Sequence, residues 1–135
     1  MFRITSLIIL LIALPSTAFS LDKIAFNEEQ FKQFQDTGTP VLIDVYAKWC
    51  PTCERQQIIL KRYFKENPNN PVKVMVVEFD EQKNWVKHFK APRQSSLYLY
   101  HNHQQQWFSV AETRTHVIEE QLNLYLPAEQ VGSAE

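Results

Sequence analysis

Two cysteines, Cys50 and Cys53, are the only ones in the chain, and they lie in Trp49-Cys50-Pro51-Thr52-Cys53. A C-x-x-C pair has two chemical uses: half of a zinc site, or a dithiol that cycles with a disulfide. No second C-x-x-C is present, and His101 and His103 lie far along the chain at a spacing that zinc fingers do not use. The surroundings of the pair point to redox chemistry. An apolar strand-like run ends just before it and a helical pattern starts at it. The free N–H groups and macrodipole at a helix start favour a thiolate, the form that attacks disulfides. Cys50 is expected at the exposed helix start as the attacking thiol. Cys53, one turn inside, is expected to resolve the mixed disulfide. Pro51 suits the first helical turn, where its missing N–H costs nothing.

The elements that must hold this pair alternate. Asp22–Phe26 reads as a short edge strand. Asn27 is an expected helix N-cap, with Gln30 three residues on as in a capping box and Phe26 and Phe31 as a hydrophobic staple. Gly38 and Pro40 end that helix. Val41–Ala47 is apolar on both faces except at Asp44, the pattern of a central strand covered on both sides. A helix from the cysteines to about Glu66 carries Ile59, Leu60, Tyr63 and Phe64 on one stripe. Val72–Phe79 is another buried strand, and Asn84–Lys90 is a short helix. Leu97–Tyr100 and Trp107–Val110 form a hairpin across Asn102-His103-Gln104-Gln105. Thr115–Leu126 is a last helix, ended by Pro127. The order (β)αβαβαββα predicts an α/β fold: a mixed β-sheet with helices on both faces.

Residues 41–53, VLIDVYAKWCPTC, resemble the active-site strand and helix of the thioredoxin superfamily, most of all exported members related to the thioredoxin-like domains of periplasmic disulfide reductases and cytochrome c maturation proteins. The resemblance spans residues 22–126 and implies a thioredoxin-like fold with a central mixed sheet of four or five strands. It implies reversible disulfide exchange with client proteins. By position, Cys50 and Cys53 become the catalytic thiols, and Asp44 the buried carboxylate that moves the proton of Cys53. Trp49, Pro51, Thr52, Gln94 and Ser95 become the client-binding rim. The family carries a cis-proline where this chain has Ser95; Pro92 is the alternative place for it. A trans Gln94–Ser95 bond is expected, in a loop that offers its backbone to an extended client segment. The family's lysine on the strand beside the carboxylate falls at Val76, and its hairpin glycine is missing, leaving Asn102 to take a left-handed turn.

The N-terminus bears on the compartment. Arg3 is followed by an apolar run from Ile4 to Leu14, then Pro15, then small residues up to Ser20. That is a secretory signal cleaved after Ser20, with Ala18 the second choice. The run is shorter than the roughly 20 residues a membrane span needs. Residues 1–20 are therefore expected to be removed, 21–127 to form one thioredoxin-like domain, and 128–135 to be a disordered tail. Export places the dithiol in the periplasm or another oxidising compartment. A transmembrane dithiol carrier becomes the implied electron donor, because a soluble cytosolic reductase cannot reach it.

Composition limits the remaining choices. The 135 residues are 44% hydrophobic with a net charge of −1, which suits one globular domain and gives no electrostatic footprint for nucleic acid. Two glycines leave no material for a phosphate-binding loop. The expected protein is a monomeric protein-disulfide reductase that needs no cofactor and no metal. A thiol oxidase or isomerase on the same fold, and a metal carrier using the cysteine pair, are the alternatives. His101 and His103 read as solvated hairpin residues, Trp85 and Trp107 as packing, and Lys83, Lys87 and Lys90 as a solvated helix face.

Overall fold

The computed structural model of the chain describes residues 21–128. The expected signal segment, and the expected tail apart from Ala128, lie outside the described residues. Nine elements follow the predicted order: β1 (Lys23–Ala25), α1 (Glu28–Asp36), β2 (Val41–Tyr46), α2 (Pro51–Glu66), β3 (Lys73–Glu78), α3 (Lys83–His88), β4 (Ser96–His101), β5 (Gln104–Val110) and α4 (Thr115–Asn123). The strands form one five-stranded sheet in the order β1-β3-β2-β4-β5. β2 is central, parallel to β3 and antiparallel to β4, so the sheet is mixed.

Both faces of β2 are covered, which explains its continuous apolar run. Leu42 packs under α2 and α4 with Leu60, Ile118 and Leu122. Val41, Ile43 and Val45 pack on the other side with Phe26, Met75 and Phe89, beneath α1 and α3. Asn27 caps α1 by accepting the Gln30 N–H at 2.9 Å. Phe26 and Phe31 meet at 5.7 Å between ring centres, completing the staple. Trp85 packs on Phe26 at 4.8 Å, and Trp107 packs against the α2–α4 side of the core.

The hairpin is tighter than its sequence suggests. Its strands run further than expected and leave a two-residue turn, Asn102-His103, with φ of 51° and 63°. Both residues take the left-handed conformation of the hairpin turn that matches strand twist. The His103 N–H donates to Gln35 Oε1 at 3.0 Å, and its Nε2 lies 2.8 Å from Asp36. His101 Nε2 lies 3.1 Å from the Gly38 carbonyl. Contacts to the end of α1 thus hold the turn in a conformation for which glycine would otherwise be expected.

Candidate functional site: a disulfide at a helix start

The end of β2 delivers Ala47 to a short turn, and α2 begins at Pro51 with Cys50 as its N-cap. Cys50 and Cys53 are joined as a disulfide. The Cys50 Sγ accepts the backbone N–H of Cys53 at 3.1 Å. That donor is one of the helix-start N–H groups that have no partner within the helix. The pair packs on Ala47, Tyr46 and Phe79, an apolar immediate setting whose two rings carry Lys23 and Lys83 on their outer faces.

One expectation needs correction. Cys50 is not exposed: its relative exposure is 3%, against 0% for Cys53. Bonded to Cys53, the Cys50 side chain folds back onto the helix start and against Ala47. Burial therefore does not separate the two sulfurs; the capping position does.

The surrounding rim is exposed where expected. Trp49 is 59% exposed, and its indole Nε1 donates to Asp80 Oδ2 at 2.6 Å. Pro51 is exposed, while Thr52 and Gln94 are half-buried. The Gln94–Ser95 bond is trans as expected, but Ser95 departs from the expectation in its backbone groups. It is fully buried with φ +63°, and no cis peptide bond occurs among the described residues. Its N–H donates to the Val45 carbonyl at 2.7 Å. Its carbonyl accepts from the Ala111 N–H at 2.9 Å and from Gln56 Nε2 at 3.2 Å. Both backbone groups of Ser95 extend the sheet inward, so they are not on offer to a client segment. Pro92 holds no cis bond either.

Asp44 sits on β2 opposite Val76 of β3 and Leu97 of β4, and it is fully buried. Gln57 of α2, one turn beyond Cys53, donates to its Oδ2. Among the described residues nothing donates to Oδ1. Burial pushes the Asp44 carboxyl up from its ordinary 3.8 to about 6, against the pull of the Gln57 hydrogen bond and the Lys23 charge; Glu78 adds to the rise. Two amides of α2 were not legible as site residues. Gln56 is buried and bridges the Ser95 and Glu112 carbonyls, and Gln57 anchors Asp44. Their signal was spacing: both lie on the stripe that runs from Cys53 to Leu60, where a polar residue needs a partner.

The protonation of Asp44 gives a direct expectation. A raised carboxyl pKa means that the charged form opposes folding. The penalty builds between pH 3.8 and about 6 and stays constant above. A shift of this size is worth about 3 kcal/mol. Asp44→Asn, which keeps an acceptor for Gln57, should therefore gain about 3 kcal/mol over wild type on going from pH 4 to pH 8. Urea unfolding at both pH values measures it; equal differences at the two would show that Asp44 does not ionise in place.

The fold agrees with what known proteins show. The thioredoxin family model matches residues 22–123. The chain belongs to the thioredoxin family. Among similar proteins, the thiol:disulfide interchange protein DsbE of Haemophilus influenzae is 28% identical over 91 residues, covering 64% of this chain and 48% of that protein. Its namesake in Escherichia coli is 32% identical over 94 residues, covering 65% and 48%. The chain thus spans about half the length of these curated relatives. The crystal structure of Trxlp from Edwardsiella tarda superposes with a TM-score of 0.69 at 37% identity, covering 74% of this chain and 97% of that one. Thioredoxin NaTrxh from Nicotiana alata, at 14% identity, superposes with a TM-score of 0.66 over 83% of this chain and 99% of its own, a likeness of fold. Among the described residues no group of three or more His, Cys, Asp or Glu side chains is placed to hold a metal ion.

Proposed function

We propose that this protein is an exported thiol–disulfide oxidoreductase that reduces disulfides in client proteins. The observation that carries the reading is the Cys50–Cys53 disulfide at the start of α2, with the Cys53 N–H on the Cys50 sulfur. In the reduced protein the Cys50 thiolate, held by that N–H, attacks a client disulfide. One client sulfur leaves as a thiolate, which takes its proton from water, and a mixed disulfide forms. Cys53 then gives up its proton and attacks the Cys50 sulfur, which releases the second client thiol and closes the Cys50–Cys53 bond. Asp44 is the acceptor for the Cys53 proton, anchored by Gln57 to the helix that carries both sulfurs. Trp49, Pro51, Thr52 and Gln94 form the rim that meets the client, and Ser95 shapes the loop behind it.

The packing around the pair supports the reductive direction, with the Cys53 N–H as the single thiolate-stabilising contact named above. A couple becomes oxidising when its reduced, thiolate form is stabilised. Here the sulfurs have apolar packing partners and a carboxylate tied to the same helix, and neither stabilises a thiolate. The names of the DsbE relatives support thiol–disulfide interchange. The pattern of residues 1–20 supports export into the periplasm or a similar compartment, with a transmembrane dithiol carrier as electron donor and the domain acting as a monomer. Redox titration against glutathione should place the midpoint near the thioredoxin end of the known range, roughly −270 mV. A midpoint near −120 mV would replace this reading with a thiol oxidase. N-terminal sequencing of the protein from an exporting bacterium should begin at Leu21.

A further inference from the structure

We infer that Lys23, on the edge strand, is the positioning cation for Asp44 during resolution, reached through a solvent cleft between β1 and α2. This rests on the dithiol mechanism above and adds a residue to it. The strand beside Asp44 supplies no cation, because the register pairs Asp44 with Val76. The next strand out does. Lys23 pairs with Val74 and Ala25 with Val76, so the exposed Lys23 lies on the α2 face of the sheet, one same-face row and two strands from Asp44, with β3 between them. Its ammonium reaches the Tyr46 ring, 5.0 Å from the centroid. Tyr46 follows Asp44 by two residues on the same face and packs on the disulfide. The path of the Lys23 side chain from the Val74 row to Tyr46 therefore crosses the row that holds Asp44.

A cleft of about 220 Å³ opens here, lined by Leu21, Lys23, Gln57 and Lys61. Gln57 spans the cleft and the carboxylate, since it donates to Asp44 Oδ2. A proton taken by Asp44 from Cys53 must reach water, and this is the polar opening beside its only hydrogen-bond donor among the described residues. The charged groups that act on Asp44 are Lys23 from β1, which favours the carboxylate, and Glu78 from β3, which disfavours it. Lys61 from α2 lines the cleft wall, Gln57 of α2 is neutral, and β4 presents Leu97. Lys23 is thus the nearby cation that raises the ionised share of Asp44 around its titration midpoint, near pH 6.

The test is a carbon-13 NMR titration of the Asp44 carboxyl in the oxidised protein, for wild type, Lys23→Met, Lys23→Arg and Lys61→Met. Lys23→Met should move the Asp44 midpoint up by roughly half a unit, the size expected of one water-screened charge several ångströms away. Lys23→Arg should restore it, and Lys61→Met should leave it in place. Resolution of a preformed Cys50 mixed disulfide should then slow about twofold in Lys23→Met at pH 6, where less carboxylate remains, and be unchanged at pH 8. An unmoved Asp44 midpoint in Lys23→Met overturns the assignment, as does an equal shift in Lys61→Met. The titration needs no turnover. Wild type that fails to reduce disulfides, with the midpoint shift intact, would defeat the functional reading and leave the placement of Lys23 standing.

Discussion

Cys53→Ser should stop turnover and leave the protein joined to its client through Cys50. The capping position makes the two sulfurs unequal. Cys50 Sγ accepts the Cys53 N–H, a hydrogen bond that stabilises a thiolate there and nowhere else in the pair. Cys53 lies one turn inside the helix, and its own backbone N–H is spent on the Cys50 sulfur. Once Cys50 has attacked, only Cys53 can break the mixed disulfide at a useful rate, because it is tethered within bonding distance and competing thiols are dilute. Serine in its place cannot form the second disulfide. Turnover should fall on the order of 10³-fold or more, the scale on which a catalytic unit loses rate when one member goes. Mass spectrometry under non-reducing conditions should show the covalent adduct with a disulfide-bonded test protein. Cys50→Ser should lose turnover equally and show no adduct. An adduct in Cys50→Ser and none in Cys53→Ser would reverse the two roles.

Ser95→Pro should be among the most damaging substitutions outside the dithiol, although the fold family places a proline there. Two requirements of Ser95 are incompatible with the pyrrolidine ring. Its φ is +63°, and proline holds φ near −65°. Its N–H donates to the buried Val45 carbonyl at 2.7 Å, and proline has none to give. The carbonyl left behind loses its partner away from water, and the loop must turn its backbone to admit the ring. The two together should cost about 4 kcal/mol, a large part of the stability of a domain this size. Thermal unfolding of the oxidised protein should fall by roughly 15 °C or more. Ser95→Gly, which keeps the N–H and accepts a positive φ without strain, should stay near wild type. A proline variant as stable as wild type would show that the loop can adopt a second backbone path.

Much of the architecture was written locally. Asn27 with Gln30, and Phe26 with Phe31, fix the start of α1 from residues within five positions of one another. The unbroken apolar run of β2 could be stable only under cover on both faces, so a central strand followed from it. Cys50 and Cys53 announced redox chemistry by their spacing together with the strand-like run before them and the helical pattern after them, and Pro51 marked the helix start that holds them. These signals are short-range, because helix periodicity, capping and turn chemistry act over a few residues. The remainder depends on residues that meet only after strands and helices have docked. Trp49 finds Asp80 31 positions away, and Gln56 finds Ser95 39 positions away. Lys23 reaches Tyr46 because strand register sets which residues share a face, and register belongs to the whole sheet. Cys50 is buried because its sulfur is bonded to Cys53 and packed on Ala47, and the hydropathy of the helix start carries no sign of this. Ser95 turns left-handed because Val45, Ala111 and Gln56 claim its backbone groups, a demand made from β2, α2 and the residue after β5 on a residue whose own side chain does not favour that conformation.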